Sequence, residues 1–295
     1  VNFTKPPLSF NDQADLLLKR GLIANKKDLI DILKKVNYYH LSGYLYPYRI
    51  KINDNFMKGT TLDEILYIMD FGSELRLLVF HVISILERWI RTDLVYNFSI
   101  YFNDAFAYTK YSSYPKQPQY KVDEFLKFIE GEMNYSKEVF VQHYKAKYSQ
   151  ENYLPAWMAA EIMSMGTMNR FYQLMDKNLK SLTVRVFNVH EVVFHSWLNS
   201  IRNVRNICAH HNRLWNRNLS IIPKIPKNSS AWSQYNGRND KKLFLLLSII
   251  NYMLKQVNCH TTLKDDMDTL FVKYRNIKNI KMDFPQNWKN YNFWK

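Results

Sequence analysis

Apolar residues recur three and four positions apart through most of the chain, and no stretch alternates at the period of two that a strand requires. The widest apolar face lies between Leu62 and about Tyr101. There Leu75, Leu78, Val79, Val82, Leu86, Trp89, Ile90 and Leu94 predict a long central core helix, with Gly72 as its candidate break. Ahead of it, Ser9 and Asp12 are spaced as a capping box for a short helix through Leu16, Leu17 and Leu18, which Gly21 ends. A second helix is expected over Lys27 to Val36. The stretch Asn37 to Tyr48 is so aromatic, and so punctuated by Gly43 and Pro47, that it reads as an ordered connector rather than a plain helix. Its tyrosines either pack against the body or stack on bases.

Asn103 to Tyr120 reads as a tyrosine-rich loop, and Lys121 to Tyr148 as helix interrupted near Asn134 and Tyr135. Pro155 is placed to open one helix running over Trp157, Ile162, Met165, Phe171 and Leu174, its methionines filling core space. A short helix over Leu179 to Phe187 follows. Asn218 to Asn239 is a long basic and aromatic loop, Asp240 to Cys259 the last strong helix, and the tail from Phe271 is basic and aromatic. The pattern predicts an all-α protein in three parts: an N-terminal helical and aromatic extension (1–60), a helical core (61–260) and a basic C-terminal tail (261–295).

One more helix is expected from His190, with Val193, Phe194, Trp197, Ile201, Val204 and Cys208 on a single arc. Arg202, Asn206 and His210 fall opposite, and Arg205 lies at the boundary. If the helix runs on, Arg213 and Arg217 join the polar stripe while His211 and Trp215 rotate onto the apolar arc. On that geometry His211 is a packed imidazole, and His210 faces a guanidinium-rich surface suited to moving protons.

Charge sharpens this picture. The formal net charge is +15 at pH 7, which points to a polyanionic partner, nucleic acid first. Between Glu191 and Asp240 there is no acidic residue, yet Arg202, Arg205, Arg213, Arg217, Lys224, Lys227 and Arg238 all lie there. Arginine forks onto phosphate oxygens and stabilises transition-state charge, and histidine exchanges protons with the attacking and leaving oxygens, so the pair is a minimal kit for phosphodiester cleavage without metal or cofactor. A solvated basic helix face is the alternative reading of the same residues. Glu87 and Arg91, four apart, form either a surface ion pair or a pair whose carboxylate reaches across to orient an arginine or histidine of the basic motif.

Cys208 and Cys259 are too few for a disulfide framework and show no zinc-binding spacing, as expected of a reduced, cytoplasmic protein. Lys5-Pro6-Pro7 precedes an ordinary amphipathic stretch rather than a secretory signal. The uncharged apolar run from Leu77 to Leu86 is too short to span a bilayer, so no membrane partner is expected.

The run Asn203-Val204-Arg205-Asn206-Ile207-Cys208-Ala209-His210-His211-Asn212-Arg213-Leu214-Trp215-Asn216-Arg217 resembles the signature of the Abi-like abortive-infection family (AbiD/AbiF type), within the HEPN superfamily of all-helical nucleases. Lys5-Pro6-Pro7-Leu8 with Leu16 to Gly21, Asn37 to Tyr44, and Leu154 to Met158 with Met165-Gly166-Thr167 are similar to other parts of the family, so the resemblance covers about residues 5 to 255. It implies a HEPN-like helical bundle and a phage-defence ribonuclease whose R-x(4–6)-H motif, here Arg205 to His210, cleaves RNA without a metal. It further implies a homodimer that brings two motifs into one cleft, and a small structured RNA that restrains the enzyme. On that reading Arg205 binds the scissile phosphate, His210 is the acid/base and Asn206 orients it. Arg202, Arg213, Arg217, Lys224 and Lys227 contact RNA, with Glu87 as an orienting group. A non-catalytic RNA-binding module and a phage-sensing interaction protein are the rival readings.

Overall fold

A single helix of 41 residues, Leu62–Phe102, organises the molecule. The computed structural model describes every residue except Val1, Phe3, Lys5, Asn228 and Lys278, and only the backbone of Asn279 and Ile280; the expected role of Lys5 in the N-terminal stretch therefore lies outside the described residues. In chain order the helices are α1 (Phe10–Lys19), α2 (Lys26–Lys35), α3 (Tyr38–Leu45), α4 (Leu62–Phe102), α5 (Gln119–Tyr135) and α6 (Val139–Lys147). They continue with α7 (Ala156–Ile162), α8 (Met165–Leu174), α9 (Lys177–Arg185), α10 (Glu191–Ala209), α11 (Leu243–Gln256) and α12 (Leu263–Lys273). No strand forms among the described residues; two isolated bridges, Ile23 to Thr61 and Arg49 to Phe56, pin the segment between α3 and α4. The fold is all-α, as the apolar spacing predicts. None of the helices described is long and apolar enough to cross a membrane.

α4 packs against α3, α7, α8, α9, α10, α11 and α12. Its buried residues recur at helical spacing from Leu62 through Leu75, Val82 and Ile90 to Phe98, so one face stays covered along its whole length. Each fully buried aliphatic or aromatic side chain on it contributes about 1.5–3 kcal/mol. α11 is apolar all round and correspondingly buried, from Leu243 to Leu254.

Gly72 does not break α4. A Cβ at that position would sit 2.6 Å from the Tyr44 hydroxyl, so the missing side chain makes the notch into which α3 inserts its phenol. The aromatic connector is also helical, contrary to expectation. Asn37 caps α3 by accepting from the Tyr39 N–H at 2.8 Å, and burying Leu41, Tyr44 and Leu45 outweighs the Gly and Pro punctuation. Its tyrosines divide: Tyr44 is buried, whereas Tyr39 and Tyr46 are 80% and 61% exposed.

The single helix expected after Pro155 is two. The break at Met163 and Ser164 lets the Ser164 hydroxyl cap Thr167 at 3.1 Å, and Glu132 of α5 accepts from the Ser164 N–H at 2.9 Å and the Thr167 hydroxyl at 2.7 Å. Nor is the helix after Asp240 the last, since α12 follows it. The C-terminal segment then folds back, burying Phe284, Trp288, Phe293 and Trp294. Among the described residues three hydrogen bonds fasten it to α11: Trp294 Nε1 donates to the Ser248 hydroxyl at 2.6 Å, Asn251 Nδ2 to the Phe293 carbonyl at 2.6 Å, and Lys255 Nζ to the Lys295 carbonyl at 2.9 Å.

The notch yields a prediction. Gly72→Ala should destabilise the protein by about 1–3 kcal/mol, the usual cost of overpacking, and lower its melting temperature. Adding Tyr44→Phe should recover part of the loss, because the hydroxyl is the nearest clash. A Gly72→Ala protein as stable as the parent would show that the notch is not needed.

Candidate functional site

α10 buries Phe194, Trp197, Ile201, Val204 and Cys208 as their spacing requires. The same face holds the long loop that follows. Trp197 Nε1 donates to the Lys224 carbonyl at 2.8 Å, the Lys224 N–H to the Ser196 hydroxyl at 2.9 Å, and the Ser200 hydroxyl to the Ile221 carbonyl at 3.1 Å.

The helix does not run on toward Arg217. It ends at Ala209, with His210 as its cap, the His210 N–H on the Asn206 carbonyl at 3.0 Å and the Asn212 N–H on the Ile207 carbonyl at 3.0 Å. His211 takes a left-handed backbone (φ 55°), which reverses the chain there. His211 is therefore exposed rather than packed, whereas Trp215 is brought into the core by the turn. His210 and Asn206 are exposed as well. Their link is the backbone hydrogen bond; among the described residues the Asn206 side chain makes no hydrogen bond to His210.

Arg205 is anchored by α4. Its Nε lies 3.7 Å from Glu87 Oε2, and its guanidinium sits 5.6 Å from the centre of the Phe80 ring. Phe80 and Glu87 are seven residues apart, hence on one face of α4. Glu87 also accepts from Arg91 Nη2 at 3.0 Å. Arg91 donates in turn to the Met163 carbonyl at 2.8 Å and to the Ala160 carbonyl, which also accepts the Met163 N–H, at the end of α7. Glu87 thus serves both arginines. The Arg205 Nε is sealed from solvent yet has no hydrogen-bond partner, so the guanidinium is held by charge rather than by a directional bond.

The basic residues do not form one stripe. Arg202 lies on the flank of α10 beside His195, whose surroundings also include Lys180 and Lys224. Burial and the charges of those three cations hold the His195 imidazole below its usual 6.5. Arg213 and Arg217 lie past the end of α10, with Arg217 Nη1 donating to the Arg213 carbonyl at 3.4 Å. Arg213 turns toward α3 instead, its Nε 4.0 Å from where a Cβ on Gly43 would stand. Lys227 is exposed on the long loop, away from these groups.

Three groups near the motif escape a reading of the motif alone. Arg76 on α4 is only 9% exposed and donates from Nη1 to the Tyr44 hydroxyl at 3.0 Å. His40 packs its ring on Tyr44, centroids 5.6 Å apart. The signal was present: Arg76 falls between Gly72 and Val79 at helical spacing, a charged residue on an apolar arc.

A family model described as Abi-like protein matches residues 31–216, from within α2 to the turn after α10. The chain belongs to the Abi-like family. This makes it an abortive-infection protein, one that defends a cell against phage. The match begins after the Lys5 to Gly21 stretch and ends one residue before Arg217. No curated protein and no solved structure matches the chain. In this Abi-like protein the matched segment holds α3, α4 and α10 together, and so carries Glu87, Arg205 and His210 in one unit.

Two outcomes follow for stability. Glu87→Ala leaves Arg91 and Arg205 without their shared carboxylate, both Glu87 and Arg91 being 13% exposed at the side chain; a loss of about 1–3 kcal/mol is expected, read by thermal or urea unfolding. For His195 the sign is set by its lowered pKa: folding favours the neutral ring, so the contribution is full above pH 6.5 and lost as pH falls through the folded value. The melting temperature should therefore drop on acidification below pH 6.5, and His195→Gln should flatten part of that drop.

Proposed function

We propose that this Abi-like protein is a HEPN-type endoribonuclease that cuts RNA by metal-independent acid/base chemistry during phage defence. The observation that carries the reading is the pairing at the end of α10: a guanidinium tied loosely to Glu87, 34% exposed at the side chain, and an exposed imidazole five residues on. The sequence from Val192 to Asn239 holds no acid, so the carboxylate that reaches Arg205 comes from α4.

In the reaction, His210 takes the proton from a ribose 2′-hydroxyl as that oxygen attacks the adjacent phosphorus. Arg205 stabilises the charge gathering on the phosphate oxygens. The bond from phosphorus to the 5′ oxygen breaks, and that oxygen receives a proton from a second imidazole. The products are a 2′,3′-cyclic phosphate and a 5′-hydroxyl. One histidine per chain serves poorly as both base and acid, so the second is His210 of a twin subunit brought in by a two-fold axis. Two apolar side chains beside Arg205 support a subunit contact there: Leu77 is 70% and Phe80 37% exposed on α4. Arg202, Arg213, Arg217, Lys224 and Lys227 contribute phosphate contacts, and a small structured RNA bound to them restrains the enzyme until infection.

Cleavage of cellular RNA by purified protein in excess chelator, with cyclic-phosphate ends, is expected of the parent. His210→Ala should abolish it, and Arg205→Ala should lower it by about 100-fold or more, as loss of one transition-state donor does. Leu77→Glu should shift sedimentation toward the monomer and reduce cleavage together. Undiminished cleavage by His210→Ala would overturn the assignment; salt-sensitive RNA binding with no cleavage would favour a non-catalytic RNA-binding module.

A further inference from the structure

Near the outer end of the turn after α10, a second group of cations gathers that the cleavage chemistry does not use. Arg76 forms its floor, fixed by the hydrogen bond from Nη1 to Tyr44. Among the described residues its other nitrogens make no hydrogen bond, and the residue is 9% exposed. Arg213 approaches from the turn, passing 4.0 Å from where a Cβ on Gly43 would stand. His40 lies on the Tyr44 ring; burial first, then the charges of Arg76 and of the exposed His211, lower its pKa.

Among the described residues no carboxylate pairs with Arg76 or Arg213, whose protein acceptors are the Tyr44 hydroxyl and the Trp215 carbonyl. Burial raises the Tyr44 pKa despite the nearby guanidinium groups, so the phenol stays neutral. Burial likewise pushes the neighbouring Cys208 thiol up to about 12, so it supplies no thiolate. A buried cation of this kind costs stability unless an anion compensates it. Guanidinium groups bind tetrahedral oxyanions through forked hydrogen bonds, and a phosphomonoester brings about −1.5 to −2 charge with three acceptor oxygens, matching two fixed cations rimmed by imidazoles.

We propose that the cluster of Arg76, Arg213, His40 and His211 around Tyr44 binds a phosphomonoester, the terminal phosphate of an RNA or of a free nucleotide. The site uses none of Arg205, Glu87 and His210 and does not require that the protein cleave RNA. Tyr44 acts as a positioning residue, holding Arg76 with one edge turned outward.

The test measures binding at one fixed salt concentration, using full-length His210→Ala protein so that cleavage plays no part. The probes are one short single-stranded RNA with a 5′-phosphate, a 3′-phosphate or hydroxyl ends, together with adenosine 5′-monophosphate. At least one phosphate-ended RNA should bind about tenfold tighter than the hydroxyl-ended form, the effect of one charge-assisted hydrogen bond. Tight binding of the mononucleotide without discrimination between RNA ends would assign the phosphate to a free nucleotide. Arg76→Met should remove the preference; its melting temperature is measured alongside, because the change removes an uncompensated buried charge but also leaves the Tyr44 hydroxyl without its donor. Should that variant fold poorly, His211→Asn, which keeps the left-handed turn, should weaken the preference from the exposed rim. Equal affinity for every RNA end with no mononucleotide binding, or a preference that survives Arg76→Met, would overturn the proposal.

Discussion

α4 must carry charge along a face that is otherwise sealed, and the structure depends on how it does so. A guanidinium removed from water needs both its N–H groups and its charge accounted for. At Arg91 both are met: Glu87 provides the charge, and the Ala160 and Met163 carbonyls at the end of α7 take the donors. At Arg76 only geometry is met, by the neutral hydroxyl of Tyr44. The first arrangement locks α7 to α4, the second locks α3 to α4, and α10 lies across the same helix with Arg205 reaching Glu87.

The end of α10 is where these constraints meet. Because His211 turns left-handed, the chain reverses after Ala209 and carries Arg213 back toward α3 instead of extending the helix. A continued helix would have kept Arg213 in line with Arg202 and placed His211 in the interior. The reversal instead separates the cations into a cluster around His195, the Glu87-tethered Arg205, and the pair of Arg76 and Arg213 beside α3. Positive charge that is one block in sequence becomes three surfaces with different chemistry.

The periodicity of the chain made most of the helices legible, including α4 almost to its last residue and the capping box of α1. What it missed has a common cause, in which a partner distant in sequence overrides a local preference. Gly72 reads locally as a helix breaker, yet a phenol from α3 fills its notch. Asn37 to Tyr48 reads as a connector, yet its apolar residues find α4 and form a helix. The helix after Pro155 breaks where Glu132 waits to bind the new N-terminus. The end of α10 was hidden for another reason. No glycine marks it, His211 supplies the positive φ that glycine usually provides, and Trp215 by its spacing continues the apolar arc although a turn delivers it to the core. At the candidate site, Glu87 was legible because a carboxylate on an apolar border demands a cation. Arg76 was not read, since its importance appears only when no acid is found near it.

Arg205 and Arg76 therefore stand as opposites. Arg205 is balanced in charge but loosely held, its Nε 3.7 Å from Glu87 and without a hydrogen bond. Arg76 is held by a 3.0 Å hydrogen bond but unbalanced in charge. A phosphate approaching Arg205 must compete with Glu87 for the guanidinium, so the interaction strengthens only where additional negative charge develops, as it does in a transition state. A phosphate approaching Arg76 meets no competing carboxylate and relieves a cost already present in the folded chain, so binding there depends on the charge the ligand brings in its ground state. One helix thus offers one guanidinium suited to a passing, charge-accumulating species and another suited to a resident anion.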